Sequence, residues 1–257
     1  MVYQTYILVI NEPPNANLLY FVFFATLSSY SFHWYLTSHS EVASPRIEWT
    51  NKHRYIHTIL FFIGVIGTAF FFFSLIHHWF WLALSAVITF LYSAPKIPQK
   101  HFRALRKVAI GKTIFLAFVW MYATTILPVI ISGKPWQADV TLFVLSRFFL
   151  IYAICIVFDF RDRKDDKAAG IRSMITYFSE KGIDKLFFIS LLVFAVSSLL
   201  LLRYDYSIKA VCLLIIPGIL TAVFYESGKR SLDDLFFYFL LDGLMMLSAL
   251  LMIIFGV

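Results

Sequence analysis

Residues 139–166 read DVTLFVLSRFFLIYAICIVFDFRDRKDD, a mostly apolar run that passes without a turn signal into a block of aspartates and basic residues. The apolar part, 139–158, is long enough to cross a hydrocarbon core of about 30 Å as a helix. Seven further windows have the same character: 17–36, 56–76, 78–95, 109–132, 186–202, 208–225 and 235–256. Composition agrees. The 257 residues are 60% hydrophobic and 14% charged, against about 45–50% and about 25% in soluble domains. A soluble fold of this size has too little interior for that much apolar surface. This excludes a soluble enzyme, a nucleic-acid module despite the net charge of +7, and a secreted disulfide scaffold. The expected fold class is all-α, a polytopic transmembrane helical bundle of about eight spans forming one integral-membrane domain over 1–257. Cys155 and Cys212 both fall within spans and read as small apolar side chains. The N-terminal MVYQTYILVINEPPNAN has no basic n-region or cleavage site and its apolar stretch is too short to span, so a signal peptide is not expected.

The basic residues sort by loop. With eight spans, 18 of the 22 Lys and Arg residues fall in 37–55, 96–108, 159–185 and 226–234, or at Lys112 beside its span. The opposite face holds three, and Arg147 lies within a span. The rich face is expected to be cytoplasmic, with both termini outside. The net charge is therefore chiefly a topology signal, with anionic headgroups or a phosphorylated substrate as secondary readings. The longest polar stretches share that face, which places the polar site there.

If the helix of 139–158 continues, Asp159, Asp162 and Asp166 stand at i, i+3 and i+7, within about 60° of one another on one face. Carboxylates so gathered repel unless a cation neutralises them, and oxygen-only ligands suit Mg²⁺, which takes the rest of its shell from water and substrate phosphate. Asp165 points some 100° away from Asp166. The plainer alternative is a solvated loop with helical pairs such as Asp159 and Arg163. Against it, Asp159 abuts an apolar helix, where an ionisable group is costly without a partner.

The pattern Asp159-x-x-Asp162-x-x-x-Asp166, followed by Gly170 and Ser173, resembles the second aspartate-rich motif of the UbiA superfamily of intramembrane prenyltransferases. Tyr92-Ser-Ala-Pro-Lys96, at the end of the third span, is similar to that family's Tyr-x-x-x-Lys motif and is likewise followed by a basic stretch. Helix order agrees over essentially the whole chain if span 139–158 corresponds to the family's sixth helix. The resemblance implies an all-helical fold with a polar cavity open to the cytoplasm. It also implies Mg²⁺-dependent transfer of a prenyl group from a prenyl diphosphate to a lipophilic acceptor. Asp159, Asp162 and Asp166 would then be metal ligands and catalytic residues. Tyr92, Lys96, Arg103, Lys107, Lys112 and Arg172 would bind substrate.

Two features depart from that pattern. The family's first aspartate-rich motif would fall at Tyr30, His33 and Thr37, none of them a carboxylate. Tyr30, His33 and Thr37 still share a helix face, and Tyr30 and His33 are candidates for lining the substrate site. The family's first helix has no counterpart, because residues 1–12 are too short; either the chain begins late or it has shed a helix. Losing a metal clamp weakens stabilisation of the departing diphosphate by several kcal/mol. The cationic run Lys96, Lys100, Arg103, Arg106, Lys107 and Lys112 is suited to compensate. The alternative function is a non-catalytic scaffold that binds isoprenoid lipid or a membrane partner. A transporter rests only on Arg147 and Asp242 and ranks last, since no inverted repeat is visible. The 29 Phe residues can steady an allylic cation, but runs such as 70–73 surround a whole turn and cannot all face one cavity. Arg147 and Asp242, inside apolar spans, are each either a cavity-lining group or half of an ion pair.

Overall fold

The computed structural model describes residues 1–37, 45–93, 112–168, 178–231 and 233–257, and among them every regular element is helical. The chain divides into two compact units, one formed by Asn15–Val108 and the other by Met1–Pro14 with Ala109–Val257.

The first of these contains α2 (Ala16–Thr37), α3 (Pro45–Lys52), α4 (Arg54–Ser74) and α5 (Trp79–Ser93). Two glycines let α2 and α4 approach closely. A Cβ at Gly64 would lie 2.6 Å from the Ser28 nitrogen, and one at Gly67 would lie 2.4 Å from the Phe24 ring. Small residues at such a contact let helices pack without a bulky side chain between them. Rings fill the seam, with Phe71 stacked on Tyr20 at 5.0 Å and on Phe24 at 5.8 Å between centroids. Phe70 and Phe73 point outward, as expected for a run that encircles its helix. Phe21, Thr68, Phe72, Leu82 and Ala86 help line an apolar cavity of about 340 Å³.

The larger unit contains α1, which runs as Val2–Thr5 and continues in a π-helical turn, Tyr6–Ile10. Then come α6 (Lys112–Met121, continuing through a π-helical Tyr122–Ile126 to Leu127–Ser132), α7 (Ala138–Ala168), α8 (Glu180–Leu200) and α9 (Ile208–Arg230). Last is α10 (π-helical Phe236–Leu241, then Asp242–Phe255). Every residue of α7 from Leu150 to Val157 is buried. A helix apolar on all sides belongs at the centre of its bundle, and α6, α8, α9 and α10 all pack against α7. Both cysteines are free.

Although too short to cross a membrane, α1 is an inserted part of this unit. Val2, Gln4, Thr5, Tyr6 and residues 8–10 are buried, and the segment stops at Asn11 in the left-handed region, φ 59°. The Thr5 hydroxyl donates to the Thr124 carbonyl at 2.7 Å, inside the π-helical turn of α6. A π turn breaks the regular backbone ladder, so this bond supplies an outside partner where the helix is irregular. At the start of α7, the Tyr206 hydroxyl donates to Asp139 Oδ2 at 3.3 Å; burial and the neighbouring carboxylate push its pKa up.

Among the described residues, six helices are long and apolar enough to cross a membrane: Arg54–Ser74, Thr113–Ser132, Ala138–Arg163, Glu180–Tyr204, Ile208–Arg230 and Phe236–Phe255. Of the eight expected spans, the other two fall short for different reasons. With 22 residues α2 has the length, but its serines, tyrosines and histidine lower its hydropathy. The apolar helix Ile76–Leu91 is shorter than a full span.

A test of the packing centres on Gly228, where a Cβ would lie 2.3 Å from Val157 Cγ1. Overpacking of this kind costs about 1–3 kcal/mol. Gly228→Ala is therefore expected to lower the thermal unfolding midpoint in detergent, and adding Val157→Ala should recover most of the loss.

Candidate functional site

The last turns of α7 carry the carboxylates, and the residues between them fix their direction. Phe158 packs edge-on against Phe237 of α10 at 5.4 Å. Phe160 meets Tyr225 of α9 at 5.9 Å, with Lys229 Nζ 5.6 Å from its ring centre. Successive helical residues differ by about 100°, so anchoring 158 and 160 on those neighbours turns Asp159 toward α6. There Asp159 is only 5% exposed and Thr113 Oγ1 donates to its Oδ2 at 2.5 Å. A buried carboxylate needs such donors, because loss of water destabilises its charged form.

Asp162 lies one turn on and is half-buried. Arg161 Nε donates to its Oδ1 at 2.9 Å. The Arg161 side chain, itself 11% exposed, sits 5.2, 4.9 and 4.7 Å from the ring centres of Phe158, Phe237 and Tyr238. Asp242, half-buried on α10, lies within the field of the same guanidinium. The surface pairing Asp159 with Arg163 is thus replaced: Asp159 turns inward to Thr113, and Arg163 is exposed.

A polar cluster backs Phe160. Lys229 Nζ lies 2.6 Å from Asp184 Oδ1, which also accepts from the Tyr225 hydroxyl at 2.6 Å. Phe187 stacks on Tyr225 at 3.7 Å. These contacts tie α8 to α9 against the residue next to Asp159.

Of the residues singled out from sequence, Asp159 and Asp162 stand on successive turns of one α7 face. The backbone of Asp166 continues that helix at i+7, and Tyr92 and Lys112 lie in α5 and α6; the side chains of these three fall outside the description. Lys96, Arg103, Lys107 and Arg172 lie outside the described residues. Tyr30 and His33 stand in the other unit on α2, Tyr30 exposed and His33 half-buried. Among the described residues no three His, Cys, Asp or Glu side chains gather closely enough for a metal. Two hard carboxylates on adjacent turns nevertheless match the donor chemistry of an oxygen-liganded cation that completes its shell with water and phosphate.

The family model described as UbiA prenyltransferase family matches residues 37–244, well over half of the sequence. The chain belongs to the UbiA prenyltransferase family. Comparison with curated proteins and with solved structures gave no match. The stretch shared with the UbiA family takes in Tyr92, Lys96 and the whole carboxylate segment, and it begins after Tyr30 and His33.

Sequence reasoning missed five residues that pack around the α7 carboxylates or back them. Thr113 carried a faint signal, a hydroxyl at the mouth of an apolar span. Arg161 was visible only as a basic residue between two aspartates. The Asp184, Tyr225 and Lys229 cluster gave none, since Asp184 lies 41 residues from Tyr225 and no local pattern links them.

Proposed function

We propose that this UbiA-family chain transfers a prenyl group from a prenyl diphosphate to a lipophilic acceptor, at a polar site facing the cytoplasm within one integral-membrane domain. The observation that carries the reading is Asp159: a carboxylate buried to 5% exposure, one helical turn before Asp162, in a family of prenyltransferases. Asp159, Asp162 and Asp166 would hold Mg²⁺. When bound, that ion supplies positive charge opposite the leaving diphosphate.

The remaining work falls to the chain's own groups. Thr113 fixes the orientation of Asp159 by its hydrogen bond. Tyr92, Lys96, Arg103, Lys107, Lys112 and Arg172 are assigned to the diphosphate, where cationic donors strengthen as negative charge collects on the leaving oxygen. Tyr30 and His33 are assigned to the rim of the substrate site in place of the missing carboxylates, His33 as a hydrogen-bond donor to phosphate. Aromatic faces steady the allylic cation, and the apolar surroundings exclude water that would otherwise capture it.

The test is direct. The purified chain with Mg²⁺ and allylic diphosphates of several lengths is expected to release pyrophosphate, and chelation should stop the release. No release with any of them would leave the second reading, a non-catalytic scaffold that binds isoprenoid lipid or a membrane partner. That reading is favoured by Tyr30 and His33 standing where the family's first carboxylates belong. It predicts copurified isoprenoid by mass spectrometry.

A further inference from the structure

The guanidinium of Arg161 occupies an unusual position. It lies inside the carboxylate segment, yet its side chain is nearly as buried as the surrounding core, at 11% exposure. Three aromatic rings lie 4.7 to 5.2 Å from its central carbon. Contacts of this kind hold a cation in place and suit the planar guanidinium better than an ammonium. Nε is committed to Asp162 at 2.9 Å. Nη1 is buried and has no hydrogen-bond partner among the described residues, although a buried charged donor left unmatched is costly. Packing, not solvent, therefore orients this unmatched donor, which belongs to the residue next to Asp162 and two after Asp159.

We propose that Arg161 is a dual-purpose cation of the site: its Nε side restrains Asp162 until a divalent ion arrives, and its Nη1 side is a direct ligand for a diphosphate oxygen. The proposal rests on the prenyl-diphosphate reading above and adds a residue to it. A group whose first carboxylate set is replaced by Tyr30, His33 and Thr37 has fewer anchors for metal ions. A fixed guanidinium supplies positive charge at no cost in ion recruitment, and its fork geometry matches phosphate oxygens. The same guanidinium competes with a metal ion for Asp162, because a carboxylate oxygen that accepts from Arg161 is less available as a ligand. The two roles predict opposite effects of one substitution.

The experiment uses the full chain in detergent and two probes, inorganic pyrophosphate in the presence of Mg²⁺ and Mn²⁺ alone. Arg161→Gln is expected to weaken pyrophosphate binding about ten- to a hundredfold, the usual range for a charge-assisted contact, measured by calorimetry. The same variant should bind Mn²⁺ several-fold more tightly by electron paramagnetic resonance, since Asp162 is released. A merely structural role would weaken both. Should Arg161→Gln lose both probes, Arg161→Lys decides: it keeps the charge beside Asp162 but lacks the second donor, so roughly tenfold weaker pyrophosphate binding supports the proposal and parental binding overturns it. Parental pyrophosphate affinity in Arg161→Gln also overturns it, leaving the prenyltransferase reading intact. If the unsubstituted chain binds no pyrophosphate, that reading fails and this one with it.

Discussion

Asp159→Asn is expected to release pyrophosphate from an allylic diphosphate about a hundred- to a thousandfold more slowly than the unsubstituted chain, the range seen when one preorganised electrostatic partner of a transition state is removed. The substitution is nearly isosteric, and the amide oxygen still accepts from Thr113 Oγ1, which reaches Asp159 at 2.5 Å. What disappears is a negative charge in a site 5% exposed. Removing a buried charge that keeps its hydrogen bond does not destabilise the fold as removing a partner does. Activity and stability should therefore part: turnover collapses while the thermal midpoint holds or rises. Turnover within tenfold of the parent would remove Asp159 from the site. A fall in both would mark it as a structural residue.

The largest effect on stability is expected at Gln4→Leu. Arg147 is only 5% exposed within the central helix α7. Its Nη2 donates to Gln4 Oε1 at 2.7 Å, its guanidinium lies 5.0 Å from the Phe143 ring centre, and Nη1 has no hydrogen-bond partner among the described residues. The Gln4 amide in turn donates to Ser248 Oγ at 3.0 Å, so α1 links α7 to α10. No carboxylate among the described residues lies within ion-pair distance of Arg147. The choice left open by the sequence, cavity group or half of an ion pair, thus resolves into a neutral hydrogen-bonded partner.

Leucine at position 4 would leave that guanidinium without its acceptor, at a cost of about 3–5 kcal/mol for an uncompensated buried charge. Adding Arg147→Met removes the charge as well and should restore most of the loss, while Gln4→Glu should stabilise by supplying a counter-charge. Denaturation midpoints of the two singles and the double give the coupling energy. A Gln4→Leu protein as stable as the parent would show that Arg147 draws its stabilisation elsewhere.

Much of the architecture was legible because a bilayer imposes a simple rule. A window of about twenty apolar residues has to become a helix, since no backbone group can go unpaired in lipid. The predicted windows lie close to the observed helices, and α7 runs on through the aspartates, which meets the condition on which their shared face rested. Among the described residues, α2 and Ile76–Leu91 stand apart from the six long apolar helices because polarity or length is marginal there. The role of α1 was hidden for a related reason: a segment too short to span looks like a tail, and only its burial against other helices makes it part of the core.

The sequence by itself determined the membrane character, the helical order and the register of Asp159, Asp162 and Asp166, because each follows from local composition or from the helix period. Tertiary structure alone decided what those side chains meet. Thr113 reaches Asp159 across 46 residues of sequence and Gln4 reaches Arg147 across 143. Partners so distant are chosen by how α7 is rotated within its neighbours, and that rotation is set by packing at Val157, Phe158 and Phe160, which no local pattern encodes.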